Sequence, residues 1–291
     1  MERTGGRHAM SGRFTTTRSL LLAVPAMLPV VVVLLGSLTA TLLQSVGLMP
    51  FIGPASFTLE YWTGNATELA RTTAVSLYIA GASTLLACIV GFIAASYILM
   101  TERAGRLVAA IGAATIPIPH LIGAGAVGLL LADSGFLSRL LGLSDGGFPA
   151  LVGGPYSLAV IFEYAWKESA FVALVIVGSL ARSAGGLCET AATLGATPRQ
   201  RITHVVFPLA LPALAVSAVI VFVYTLGSYE VPWLLGAISP EVLPVRGVRL
   251  FGSIDLASRP EAMVTALLSI LLGAVAILMG LVLLRRIRSL R

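Results

Sequence analysis

Three charged side chains fall inside one membrane-length apolar run: Glu163, Lys167 and Glu168 lie within 156–180. Ionisable groups in such a setting are costly and mark either function or pairing. Glu163 and Lys167 stand four residues apart on one helical face. Two readings fit them, an intrahelical ion pair or the lining of a translocation path. Glu230, towards the end of a later run, has no partner within its own helix; it stands at an outer gate or snorkels to water. His120 follows Pro117 and Pro119, which remove two backbone donors in mid-run. Such breaks survive only where neighbours, polar side chains or a cavity satisfy the freed carbonyls. His120 itself is either a hydrogen-bonded packing residue or a further candidate for the path.

Covalent chemistry is not written in these residues. The three histidines, His8, His120 and His204, fall in a tail, an apolar run and a polar segment, and the acids add no metal or nucleophile set to them. Cys88 lies in an apolar run and Cys188 in the polar segment, too far apart to pair and without metal-ligand spacing. No Gly-x-x-x-x-Gly-Lys-Ser/Thr phosphate loop occurs, and the single lysine follows Trp166 inside a run. The expectation is no catalytic site, no metal and no cofactor held by this chain. A formal charge of +6 raises the question of nucleic acid, but the basic residues are spread over short loops and tails instead of one face. Nucleic acid is therefore not an expected partner.

The elements that must position these residues follow from composition. With 57% hydrophobic and 11% charged residues and a mean hydropathy of +0.95, the chain lies far from soluble domains, which carry about 25% charge. Membrane lipid is its solvent. A helix needs roughly 20 apolar residues to cross the hydrocarbon core. Six runs qualify: 19–46, 73–100, 107–132, 156–180, 209–238 and 262–284. The first is too long for the core of a secretory signal and lacks a suitably placed small-residue cleavage site, so it reads as a retained span. The expected fold class is all-α, a polytopic membrane protein of six transmembrane helices.

Arginine sets the orientation. Four arginines precede the first run, two lie between the second and third, three between the fourth and fifth, and four close the chain. The opposite loops hold Arg71, Arg139, Arg246, Arg249 and Arg259. Thirteen against five places both termini in the cytoplasm. The expected layout is a cytoplasmic tail at 1–18, a transmembrane domain at 19–284 with a cytoplasmic loop at 181–208, and a basic tail at 285–291. None of the outer segments is large enough to fold as a domain.

The cytoplasmic loop reads as helix, turn, helix. Residues 188–194 are rich in good helix formers. Gly195 stands where a helix end needs left-handed dihedrals. Thr197 and Pro198 then supply an N-cap and a proline at the first helical position. The second short helix is expected to end at Pro208, where the fifth span begins. The register of this loop is Glu189-Thr-Ala191, three residues, Gly195, nine residues, then Val205-Val-Phe207-Pro208. It resembles the cytoplasmic signature of the permease subunits of binding-protein-dependent ABC importers, E-A-A, three residues, G, nine residues, I-x-L-P. Thr190, Val205 and Phe207 depart from that pattern by residues of tolerable size. Segments 20–25, 115–120 and 227–236 resemble the spermidine/putrescine-type branch of the family.

The resemblance implies a cell-membrane permease of a bacterium or archaeon, with a coupling loop that docks on a cytoplasmic ATPase. Glu189 would meet the ATPase surface, Ala191 and Ala192 would allow close approach, Gly195 would make the turn, and Ala196, Thr197 and Arg199 would lie at the contact. Pro208 would mark the join to the fifth span. The implied partners are two ABC ATPase subunits that bind ATP, a second permease (related or identical) and an extracytoplasmic solute-binding protein delivering a small solute, polyamine or related. In that setting His120, Glu163, Lys167 and Glu230 become candidates for the translocation path. An ion-coupled secondary transporter or channel is the alternative, but it calls for two similar halves. No internal repeat is found in the sequence, and the Glu189 loop would be left without a purpose.

Overall fold

In lipid a chain must close its backbone hydrogen bonds within each crossing segment, and helices do this. The computed structural model describes residues 16–143 and 147–289, and among them every regular element is helical. The parts of the expected tails at 1–15 and 290–291 lie outside the described residues. In chain order the helices are α1 (Thr16–Ser45), α2 (Glu60–Thr63), α3 (Ala66–Met100), α4 (Arg103–Thr115), α5 (His120–Leu131), α6 (Phe136–Leu140) and α7 (Leu158–Leu180). There follow α8 (Ala184–Thr193), α9 (Pro198–Arg201), α10 (Phe207–Gly227), α11 (Glu230–Leu235), α12 (Leu243–Phe251) and α13 (Arg259–Ser289). A π-helical turn, Ile202–Val206, joins α9 to α10.

Five stretches are long and apolar enough to cross a membrane: Ala23–Ser45, Ala66–Met100, His120–Leu140, Pro198–Gly227 and Leu256–Ile287. α7 with α8 makes a sixth when the pair, bent by 74°, counts as one. The third expected span needs correction. It is not one helix over 107–132 but α4 and α5 separated by the segment 116–119, because Pro117 and Pro119 cannot donate to the helical ladder. The fifth also differs. α10 stops at Gly227, Ser228 turns extended (ψ 136), and α11 is a separate short helix. The second loop helix, expected to end at Pro208, instead runs on through the π turn into α10. Pro208 is the second residue of α10, directly after the π turn.

Between helices in lipid, close van der Waals packing of small residues replaces the hydrophobic drive of a soluble core. α3 and α7 pack along most of their length. Ala87 and Ala95 of α3 are buried in one cluster with Val172 and Ile176 of α7, Val221 of α10 and Cys188 of α8. A second cluster joins Ile79, Ala124, Val160, Tyr164 and Leu235. α1 lies exposed for most of its length and packs on α13.

Ion pairs secure the loops at the end of the bundle away from α8 and α9. Arg246 of α12 is buried, lies 3.7 Å from Glu68 of α3 and hydrogen-bonds Glu261 of α13. Asn65 donates to the same Glu261 carboxylate at 3.0 Å. Arg249 donates to Glu241 at 3.1 Å, and that hydrogen bond raises the pKa of the guanidinium. Arg259 stacks between the rings of Phe51 (4.9 Å) and Phe251 (4.1 Å), a cation–π pairing at the start of α13.

Candidate functional site

Two constellations carry the sequence candidates. The first is the loop 181–208. α8 ends at Thr193, and Gly195 takes φ +83°, the left-handed conformation expected of it. Gly195 N–H donates to Ala192 O (3.0 Å) and Ala196 N–H to Ala191 O (2.9 Å). This is the paired closure of a Schellman end, which satisfies two otherwise orphaned carbonyls. Two residues later Thr197 caps α9. Its hydroxyl accepts from Gln200 N–H at 3.3 Å, and the Gln200 side chain accepts from Thr197 N–H at 2.8 Å. That reciprocal box, with Pro198 at the first helical position, leaves little slack between α8 and α9.

What the loop presents follows from this geometry. Glu189, Ala192, Gly195, Thr197 and Arg199 are exposed; Ala191 and Ala196 are half-buried. Leu194 stands 83% exposed at the tip, an apolar side chain with nothing of its own chain over it. Glu189 and Arg201 also line a cavity of about 690 Å³ against Glu102 and Arg106 of the α3–α4 turn. A rigid corner with an acid, small residues and one exposed leucine has the form of a docking element.

The second constellation lies within the bundle. His120, the first residue of α5, places Nδ1 3.1 Å from Glu163 Oε1 and Nε2 3.2 Å from Glu168 Oε1. Glu163 is fully buried and Glu168 nearly so. An imidazole donates from both nitrogens only as the imidazolium. In that form His120 and Lys167 together balance the two carboxylates. Tyr164 and Tyr224 flank the imidazole, with ring centroids 5.9 and 5.2 Å away. Gly123, one turn along α5, leaves the room: a Cβ there would stand 2.9 Å from Glu163 Oε1.

Of the two readings of Glu163 and Lys167, the intrahelical pair is the one corrected. Glu163 does not pair with Lys167, because His120 reaches it from α5. Lys167 finds backbone partners instead. Its ammonium donates to Thr115 O at 3.0 Å and to Ile118 O, the carbonyls beside the proline break. His120, Glu163 and Lys167 are thus brought together, and Glu230 is not. It stands exposed in the first turn of α11, outside this hydrogen-bonded cluster.

Residues 146–289 match the family described as the binding-protein-dependent transport system inner membrane component. The inner membrane ABC transporter permease protein YdcU of Escherichia coli is 39% identical over 77 residues, 26% of this chain and 24% of that protein. The putative ferric transport system permease protein FbpB 1 of Haemophilus influenzae is 30% identical over 168 residues, 55% of this chain and 26% of that protein. These comparisons support the ABC importer permease family. The chain spans only about a quarter of the length of either curated relative.

The fold agrees with that likeness. A bacterial alginate ABC transporter, solved with an alginate pentasaccharide-bound periplasmic protein, superposes with a TM-score of 0.70 at 22% identity, covering 93% of this chain and 94% of the other. The MetNI methionine ABC transporter, solved in inward-facing conformations, gives 0.59 at 21% identity, over 77% of this chain and 98% of the other. The described residues are thus of the all-helical kind expected, with five stretches, or six with the bent pair, long and apolar enough to cross a membrane.

Several residues of both constellations escaped the sequence. Leu194 read as an ordinary helix former, and only its exposure singles it out. Gln200 was legible in principle, three residues after Thr197 as a capping box requires. Glu168 was noted as charged, but neither it nor Tyr224 carried any signal of contact with His120, which lies 48 and 104 residues away in the chain.

Proposed function

We propose that this chain is the non-enzymatic permease subunit of an ABC importer in the inner membrane, with the loop 181–208 as its cytoplasmic ATPase-coupling element. The observation that carries the reading is the loop itself. Its signature register coincides with a geometrically closed corner, Schellman end followed by capping box, at an exposed face. In this reading Glu189 and Arg199 engage the ATPase surface, Ala191, Ala192 and Ala196 permit close approach, and Gly195 and Thr197 fix the angle of the corner. Pro208 stands at the join to α10. A coupling element has to transmit a rigid-body push without absorbing it.

The partners are two ATPase subunits, which bind and hydrolyse the ATP, a second permease and an extracytoplasmic solute-binding protein. Closure of the ATPases moves the loops, rocks the bundle and opens the path outward. His120, Glu163 and Glu168 belong to that path, with Glu230 nearer its outer mouth. The solute is small, polyamine or a related cation. Support for a cation comes from the resemblance of three segments to the spermidine/putrescine branch.

The test is purification of the tagged full chain from its native membrane. An ATP-binding subunit is expected to copurify, and Glu189→Lys is expected to lose it while still inserting. Uptake that proceeds without any ATP-binding partner and follows an ion gradient would sink the proposal in favour of a secondary transporter. For the solute, Glu230→Gln should weaken uptake of a polyamine without weakening assembly; unchanged uptake removes Glu230 from the path.

A further inference from the structure

We propose that Lys167 is a positioning residue: it closes the proline break between α4 and α5 and thereby sets where α5 begins and where His120 points. The argument is an accounting of carbonyls. In an unbroken helix the N–H at 119 would serve Thr115 O and the N–H at 122 would serve Ile118 O. Residue 119 is a proline and has no N–H. Ile122 N–H and Gly123 N–H both go to Pro119 O, each at 3.0 Å. Ile118 O is left without either of them. Thr115 O keeps a substitute donor, Ile118 N–H at 3.2 Å; Lys167 Nζ adds a charged donor to it at 3.0 Å and gives Ile118 O the donor it lacks.

The stem fits this role as well as the head. Lys167 is buried, and its Cδ lies 3.7 Å from where a Cβ on Gly123 would stand, so the chain passes beneath the first turn of α5. Glu163 and Glu168 flank Lys167 on α7 and take the two nitrogens of His120. Three consecutive functions therefore sit on one and a half turns of α7: an ammonium that holds the break and two carboxylates that hold the residue immediately after it. A lysine that merely neutralised the carboxylates would not need to face the backbone of another helix. Lys167 acts on the path through His120 and is not itself proposed to touch the solute.

This inference rests on the permease reading for its transport consequence, but its structural core is tested independently. In the full chain, Lys167→Met should lower the thermal stability of the purified protein and reduce uptake by about tenfold or more, since a buried and a part-buried carbonyl lose a charged donor. The maximal rate should fall more than the apparent affinity, because His120 is displaced and not deleted. Lys167→Arg, which keeps donors at the end of a long stem, should retain most of both properties. The decisive measurement is the double-variant cycle with Pro117→Ala/Pro119→Ala. Restored N–H groups at 117 and 119 let the ladder run on, so Lys167→Met should then add little further loss of stability. Additive losses in the two backgrounds would overturn the proposal. So would a Lys167→Met variant with unchanged stability, or Lys167→Arg and Lys167→Met equally damaging in both backgrounds. The stability cycle reads out whether or not the chain couples to an ATPase, so its failure is distinct from failure of the proposed function.

Discussion

Gly195 and His120 show how differently two single residues are specified. Gly195 needs only itself. With φ at +83° and nothing within 4 Å of a would-be Cβ, the constraint is backbone conformation and not space. Gly195→Val should therefore cost roughly 1–2 kcal/mol in the corner. Gly195→Asn, a residue that visits this conformation, should cost less. ATPase copurification and uptake should fall with Val and largely persist with Asn; equal behaviour of the two would mean that the corner's shape is not what the partner reads. His120, by contrast, is defined by residues distant in sequence. The caps at Gly195, Thr197 and Pro198 were legible because each depends on neighbours two or three positions away. The clasp of His120 by Glu163 and Glu168 was not, because helical periodicity offers Lys167 to Glu163 and says nothing of a second helix.

Among elements, the long apolar helices were visible from composition and the breaks within them were not fully so. Pro117 and Pro119 announced unsatisfied carbonyls, yet only packing shows that the span divides there and that a lysine from α7 closes the gap. The end of α10 at Gly227 had no comparable warning, since the apolar run continues across it into α11. α12 illustrates how burial decides what an ion pair is worth. The Arg246 side chain is 6% exposed and ties α12 to α3 and α13; that of Arg249 is 58% exposed and ties α12 only to Glu241. Charged hydrogen bonds out of water contribute about 1.5–3 kcal/mol, whereas exposed pairs contribute about 0–1 kcal/mol. Arg246→Met should accordingly lower the melting temperature of the purified protein clearly, and Arg249→Met should barely move it. Comparable losses from the two would show that α12 is held by its apolar face alone.

At the scale of the whole molecule, the bundle has two distinct ends and an exposed side. The side is α1, apolar and open along most of its length, a surface suited to lipid and to the second permease of the proposed assembly. One end carries α8, α9 and the exposed Leu194; the other carries the ion-paired loops around α12. The proposed function requires the first end to face the ATP-bearing compartment, and the arginine asymmetry of thirteen against five argues for the same assignment. These are independent arguments, one from chain charge and one from the shape of a loop, so a single measurement bears on both. Cysteines placed singly at Arg199 and Leu194, in a background lacking Cys88 and Cys188, should resist a membrane-impermeant thiol reagent in intact cells and react once the membrane is permeabilised. Cysteines at Asn65 and at the fully exposed Ile254 should react without permeabilisation. Each site is exposed on the chain, so silence would report the membrane and not burial. Reaction of Arg199→Cys from outside would invert the molecule, remove the loop from any cytoplasmic ATPase and overturn the coupling role with it.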